Sequence, residues 1–132
     1  MSPEFLDIDD VLEIHANQIA EHGGSEGLRD PDLLDSAVAQ PMAAFGGQFL
    51  NRDLFEMAAA LLTSLVMNHP FVDGNKRTAV ASALTFLDLN GYSIEPSSQH
   101  LEDAVFELIA GLIGKNDLAD VLRSLAAKRE LD

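Results

Sequence analysis

Cysteine is absent from this chain, and with it go a disulfide framework, a thiolate nucleophile and a Cys-ligated zinc site. Positive charge is scarce: 8 lysines and arginines stand against 22 aspartates and glutamates, giving a formal net charge of -14. Such a surface repels a phosphate backbone, which excludes direct binding to DNA or RNA over most of it. The acidity reads first as solubility or adaptation to salt, and only second as attraction for a basic partner. No apolar run approaches a membrane span, and Met1-Ser2-Pro3-Glu4-Phe5 lacks the basic-then-apolar start of a signal peptide. The expectation is a soluble cytoplasmic protein. Internal repeats, low-complexity stretches and linkers are also missing. The 132 residues, 47% of them hydrophobic, suffice for one core, so residues 1–132 read as a single domain.

Strand-type alternation is rare, whereas apolar residues recur at helical spacing almost throughout, which predicts an all-α domain of about six helices. Ile8, Val11, Leu12, His15 and Ile19 line a first helix that stops at Gly23-Gly24 and begins among Asp7, Asp9 and Asp10, where the dipole favours acid. Asp30 caps a short helix with Pro31 at its first position, ending near Pro41. The segment from Pro41 to Leu50, with Gly46-Gly47 between Phe45 and Phe49, is either an irregular loop or a small hairpin. It is equally a candidate flap beside a site and a plain connector whose phenylalanines tuck into the core. Asn51 is placed to cap a long helix through Leu54, Met57, Leu61, Leu65 and Val66, apolar nearly all round and hence central. A second apolar helix through Ala79, Ala83 and Phe86 ends at Asn90-Gly91, and two amphipathic helices follow, from about Ser98 to Leu112 and from Asn116 to Arg129.

Between the two apolar helices lies His69-Pro70-Phe71-Val72-Asp73-Gly74-Asn75-Lys76-Arg77. Gly74 and Asn75 fall where the second helix begins, so backbone N–H groups without intrahelical partners form an anion cradle. Lys76 and Arg77 then occupy a first helical turn, where the dipole opposes positive charge. A bound polyphosphate resolves that conflict by satisfying the amides, the lysine and the arginine fork together. Asp73 is a hard oxygen ligand suited to magnesium, which takes only one or two protein carboxylates when phosphates complete its shell. His69, at the end of the preceding helix, is placed to take a proton from an incoming hydroxyl. Phe71 reads as the anchor pinning the loop to the core. Singly, each has a plainer role: a helix-end cap for His69, a turn for Asp73-Gly74, a solvated face for Lys76-Arg77. Their ordered coincidence between two apolar helices points to a site.

These residues resemble the Fic/Doc family, whose loop reads His-x-Phe-x-Asp/Glu-Gly/Ala-Asn-Gly/Lys-Arg. The ending Asn75-Lys76-Arg77-Thr78-Ala79 is similar to the Doc branch, the death-on-curing toxins of toxin-antitoxin modules, and His22-Gly23-Gly24, Gly27-Leu28-Arg29-Asp30 and Gly91 extend the likeness. The resemblance implies His69 as catalytic histidine, Asp73 as magnesium-associated acid, Asn75 as a phosphate or magnesium contact, and Lys76 and Arg77 as phosphate-binding cations. It implies ATP as substrate with Mg2+, and transfer of the γ-phosphoryl group to a Ser or Thr hydroxyl of a protein target, a translation factor such as elongation factor Tu. Pro70 and Gly74 look more like the general Fic loop, which keeps transfer of the AMP moiety as the alternative. A degenerate, non-catalytic binding protein is the reading of a different class. The restraining Ser/Thr-x-x-x-Glu-Gly/Asn segment of Fic-type proteins is missing, since Glu26-Gly27 is preceded by His22, so restraint is expected from a small antitoxin in trans laid in a groove of the helical domain.

His15, among Leu12 and Ile14, reads as a packed or half-exposed histidine ahead of a ligand. His22 and His100 lie at helix edges. The pairs Asp9-Asp10 and Glu102-Asp103 are adjacent on a helix, so they do not face each other and read as acid near helix starts.

Overall fold

A computed structural model describes residues 2–129. Among them are six α-helices: α1 Ile8–His22, α2 Pro31–Ala39, α3 Leu54–Asn68, α4 Asn75–Leu89, α5 Gln99–Ile109 and α6 Lys115–Leu125. Four two-residue strands form two ribbons, β1 Ala44–Phe45 with β2 Gln48–Phe49 and β3 Tyr92–Ser93 with β4 Ala127–Lys128. The all-α class is what the helical periodicity predicted. No helix among the described residues is long and apolar enough to cross a membrane.

α3 is the centre of the core. Met57, Ala58, Ala59, Ala60, Leu61, Leu62, Leu65 and Val66 are all buried, because α4, α2 and α6 pack around it. Its run of alanines and the fully buried Ala79 and Ala83 of α4 leave little side-chain bulk, which lets helix axes approach closely. α1 lies on α4 and buries Val11, His15 and Ile19. The α3–turn–α4 unit is therefore held by α1 on α4 and by α2 and α6 on α3.

Local chemistry explains the helix ends. Asp7 accepts from the Asp10 N–H while Asp10 returns a bond to the Asp7 N–H, a reciprocal capping box. Asp30 caps α2 with Pro31 at its first position, and Ser98 caps α5. The cap of α3 differs from expectation: Asp53, not Asn51, accepts from the Glu56 N–H at 2.8 Å. Asn51 is buried and donates instead to the Gln40 carbonyl at 3.0 Å, tying together the two ends of the segment between α2 and α3.

That segment is a hairpin, with register Ala44↔Phe49 and Phe45↔Gln48. Gly46 and Gly47 both have positive φ, 61° and 80°, as a two-residue turn matching strand twist requires. Its two phenylalanines part ways: Phe49 packs edge-on against Phe5, ring centres 5.7 Å apart, while Phe45 is 82% exposed.

Two helices are shorter than their periodicity predicted. α5 stops at Ile109 because Gly111, at φ 77°, turns the chain left-handed, and the Leu112 and Gly111 N–H groups close back on Glu107 and Leu108. α6 ends at Leu125 rather than Arg129. Ala126 is extended, and Ala127–Lys128 pair antiparallel with Tyr92–Ser93, a tertiary contact that overrides the helix preference of Ala, Lys and Arg.

Candidate functional site

The motif loop starts at an unusual backbone. His69 follows α3 with φ 49° and ψ 57°, and it is the one non-glycine residue of positive φ among those described. Its side chain is exposed, and no hydrogen bond or ion pair from a described residue holds it. The last α3 carbonyls are covered by Arg29, whose Nε donates to the His69 carbonyl at 2.6 Å and whose Nη2 donates to Asn68 at 2.8 Å. A helix C-terminus favours positive charge, so one cation both caps α3 and fixes the peptide on which His69 stands.

The loop between α1 and α2 runs antiparallel to the motif loop. Arg29 and Asp30 N–H groups donate to the Pro70 carbonyl, Leu28 bridges Phe71, and the Val72 N–H donates to Gly27. Phe71 is 1% exposed, so the middle of the motif loop is seated in the core. Asn75 grips it from α4: Oδ1 accepts from the Phe71 N–H and Nδ2 donates to the Phe71 carbonyl, both at 2.9 Å. The Asn75 side chain is thus engaged in holding the loop. The Asn75 backbone N–H and the second Nδ2 hydrogen have no protein acceptor among the described residues.

Asp73 is exposed, with Oδ2 accepting from the Ser25 N–H at 3.1 Å and Oδ1 from the Gly74 N–H at 2.8 Å. These two donors, Ser25 first, with the Arg77 charge adding, outweigh slight burial and hold the carboxyl below its ordinary range. The close seat demands glycine at position 24, where a Cβ would fall 2.7 Å from Asp73 Oδ2. Gly74, at φ 77° and ψ 19°, starts α4 without a side-chain cap. The first intrahelical bond is Thr78 N–H to the Gly74 carbonyl at 2.9 Å, so the Asn75, Lys76 and Arg77 N–H groups have no protein acceptor among the described residues. An oxyanion can take all three.

Neither motif cation has an ion-pair partner among the described residues. The Lys76 ammonium lies over the Phe106 ring of α5, 3.6 Å from its centre, while Arg77 is half-buried. Both line one end of a groove of about 660 Å³ between α1, α4 and α5, floored by Val80, Leu84 and Val105. His69 and Asp73 lie outside that lining. No cluster of three or more His, Cys, Asp or Glu that could hold a metal exists among the described residues. Asp73 still fits magnesium, because it is ionised, exposed and has lone pairs beyond the two its N–H donors use, and phosphate oxygens and water can supply the other ligands.

His15 is buried and packed, as its apolar neighbours implied, but it is packed against the motif, with Nε2 2.8 Å from the Asp73 carbonyl. His15, Ser25 and Arg29 all touch the loop without having been singled out as site residues. The available signals were a polar residue within the Val11-His15-Ile19 stripe, which must be satisfied when buried, and the glycine-dense run around Ser25.

Comparison with known proteins gives the family. The model of the Fic/DOC family matches residues 5–87, from before α1 to near the end of α4. "Toxin Doc" of Mycolicibacterium smegmatis is 52% identical over 91 residues, 69% of this chain and 68% of that protein. "Protein kinase doc" of Escherichia phage P1 is 33% identical over 130 residues, 98% of each chain. With the loop, the cradle and the matched helices in one arrangement, the chain belongs to the Fic/DOC family.

Proposed function

We propose that this chain is a Doc-like toxin that transfers the γ-phosphoryl group of ATP to a Ser or Thr hydroxyl of a protein target, a translation factor such as elongation factor Tu. The observation that carries the reading is the start of α4, where three N–H groups and two cations, unpaired among the described residues, stand on the same loop–helix unit as an exposed His69 and an ionised Asp73. Likeness over nearly the whole chain to a phage protein named a protein kinase supports it.

In this reading the Asn75, Lys76 and Arg77 amides and the Arg77 guanidinium bind and orient the phosphates. Asp73 contributes the protein's carboxylate to a magnesium ion, which when bound neutralises phosphate charge. His69 accepts the proton of the target hydroxyl as its oxygen attacks the γ-phosphorus. The bond from that phosphorus to the β–γ bridging oxygen breaks, and ADP leaves. Phosphoryl transfer asks mainly for positioning and charge stabilisation, which a preorganised loop supplies. A partner antitoxin fits the groove between α1, α4 and α5, whose apolar floor ends at Lys76 and Arg77, so an amphipathic segment lying there covers the cations.

Transfer of AMP is the second reading, favoured by the position of Lys76. The lysine that marks the Doc branch rests on Phe106, leaving the cradle to amides and Arg77. Incubation of antitoxin-free protein and elongation factor Tu with magnesium and ATP labelled at either the γ- or the α-phosphate separates the two. Label from the γ-position alone is the expected result. Label from the α-position establishes adenylyl transfer, and neither label on any protein of a translation extract that the protein arrests removes both.

A further inference from the structure

α1 contributes no residue to the motif, yet it meets the motif at the point where direction matters. His15 is 6% exposed in the stripe it shares with Val11 and Ile19. A buried ring nitrogen needs a partner, and Nε2 has one in the Asp73 carbonyl at 2.8 Å. A carbonyl only accepts, so Nε2 carries the hydrogen. The same ring lies parallel to Phe71, centres 3.8 Å apart and planes within 4°.

The peptide after Asp73 is equally confined. A Cβ on Gly74 would sit 3.1 Å from Ile19 Cδ1 and 3.7 Å from His15 Nε2, so the Asp73–Gly74 link rests on the buried stripe of α1. The Asp73 carboxylate is held from the side by the Ser25 N–H, in the loop that continues α1. Backbone and side chain of Asp73 are thus fixed by one helix and its extension.

We infer that His15 is a positioning residue for this site: by donating from Nε2 to the Asp73 carbonyl while its ring lies on Phe71, it sets the direction in which the Asp73 carboxylate faces a phosphate-bound divalent cation. This rests on the proposed transferase reading. Without the donor the part-buried carbonyl loses its partner, and the Asp73–Gly74 peptide is free to rotate toward another one. The carboxylate and the first free amides of α4 then move off a common centre.

The hydrogen bond and the stacking are separable. His15→Phe keeps a ring on Phe71 but has no N–H, whereas His15→Gln keeps an N–H near the position of Nε2 but has no ring. His15→Phe is expected to melt near wild type without ligand, to lose most of the rise in melting temperature given by magnesium with ATP, and to need more magnesium for half-maximal rise. Its kcat falls roughly 10- to 100-fold, the usual scale for groups that orient a ligand. His15→Gln restores most of both. If His15→Phe does not fold, His15→Met takes its place as the donor-free arm.

A donor-free variant with wild-type magnesium dependence and rate overturns the inference, as does a folded His15→Gln no better than the donor-free variant. Wild-type protein that shows neither a magnesium-ATP shift nor transfer removes the proposed function itself. An unaffected donor-free variant of active wild type removes the inference alone.

Discussion

His69 stands in a left-handed backbone conformation that costs an L-residue with a Cβ roughly 1–2 kcal/mol. Glycine bears no such cost, so stability and activity are expected to separate at this position. His69→Gly should raise unfolding stability by up to about 1 kcal/mol in urea titration, since its gain is partly offset by greater freedom of the unfolded chain. It should also lower transfer by about 10²-fold or more through loss of the proton acceptor. Unchanged transfer would contradict the general-base role, and lower stability would mean that the imidazole makes a contact worth more than the strain. Arg77→Ala, which removes the half-buried cation beside the free amides, should abolish the rise in melting temperature on adding magnesium and ATP while leaving the unliganded value nearly unchanged. A full shift in that variant would place the phosphates elsewhere.

Two helix ends carry testable consequences at the scale of elements. Asp53 caps α3 and pairs with Arg123 of α6 at 2.7 Å, bracing the N-terminus of the central helix against the last one. Partial burial opposes its ionisation, but the Glu56 N–H and Arg123 outweigh burial and hold the carboxyl below its usual range. A depressed folded pKa stabilises the fold above the ordinary Asp value and loses that effect as pH falls through the folded one. Asp53→Asn keeps a capping oxygen and removes the charge, so it should be less stable than wild type at neutral pH, with the gap closing as pH falls below the ordinary Asp range. Asp53→Ala should cost about 1 kcal/mol at neutral pH through the lost cap. At the other end of α3, Arg29→Ala should lower kcat more than it lowers stability, because the peptide it holds is that of His69. A variant with wild-type kcat would show that α3 alone fixes the histidine.

At the scale of the whole molecule, core and site are continuous through Phe71. The residue is 1% exposed in the main hydrophobic cluster, stacked on His15 and gripped at both backbone polar groups by Asn75. Phe71→Ala should therefore cost about 3–5 kcal/mol in denaturant unfolding, the range for truncating a buried aromatic, and remove nucleotide binding with it. A loss below about 1 kcal/mol would mean that the loop is not anchored through the core.

The sequence alone was enough for the helical class, most helix starts, the end of α4 at Asn90-Gly91 and the motif itself. These depend on interactions within a few residues: apolar spacing, capping side chains, glycine turns and the order of ionisable groups. What needed the tertiary structure were pairings across long stretches of chain. Asp53 took the cap because Asn51 was engaged by Gln40, α6 stopped because Ala127–Lys128 found Tyr92–Ser93, and the Asn75 side chain was engaged by Phe71. His15 and Arg29 lie 58 and 40 residues from the loop atoms they hold. Local spacing determined which reactive groups this chain carries, while long-range packing decided what holds them and which remain free, because a hydrogen-bonding group is committed only when the fold brings its partner within reach.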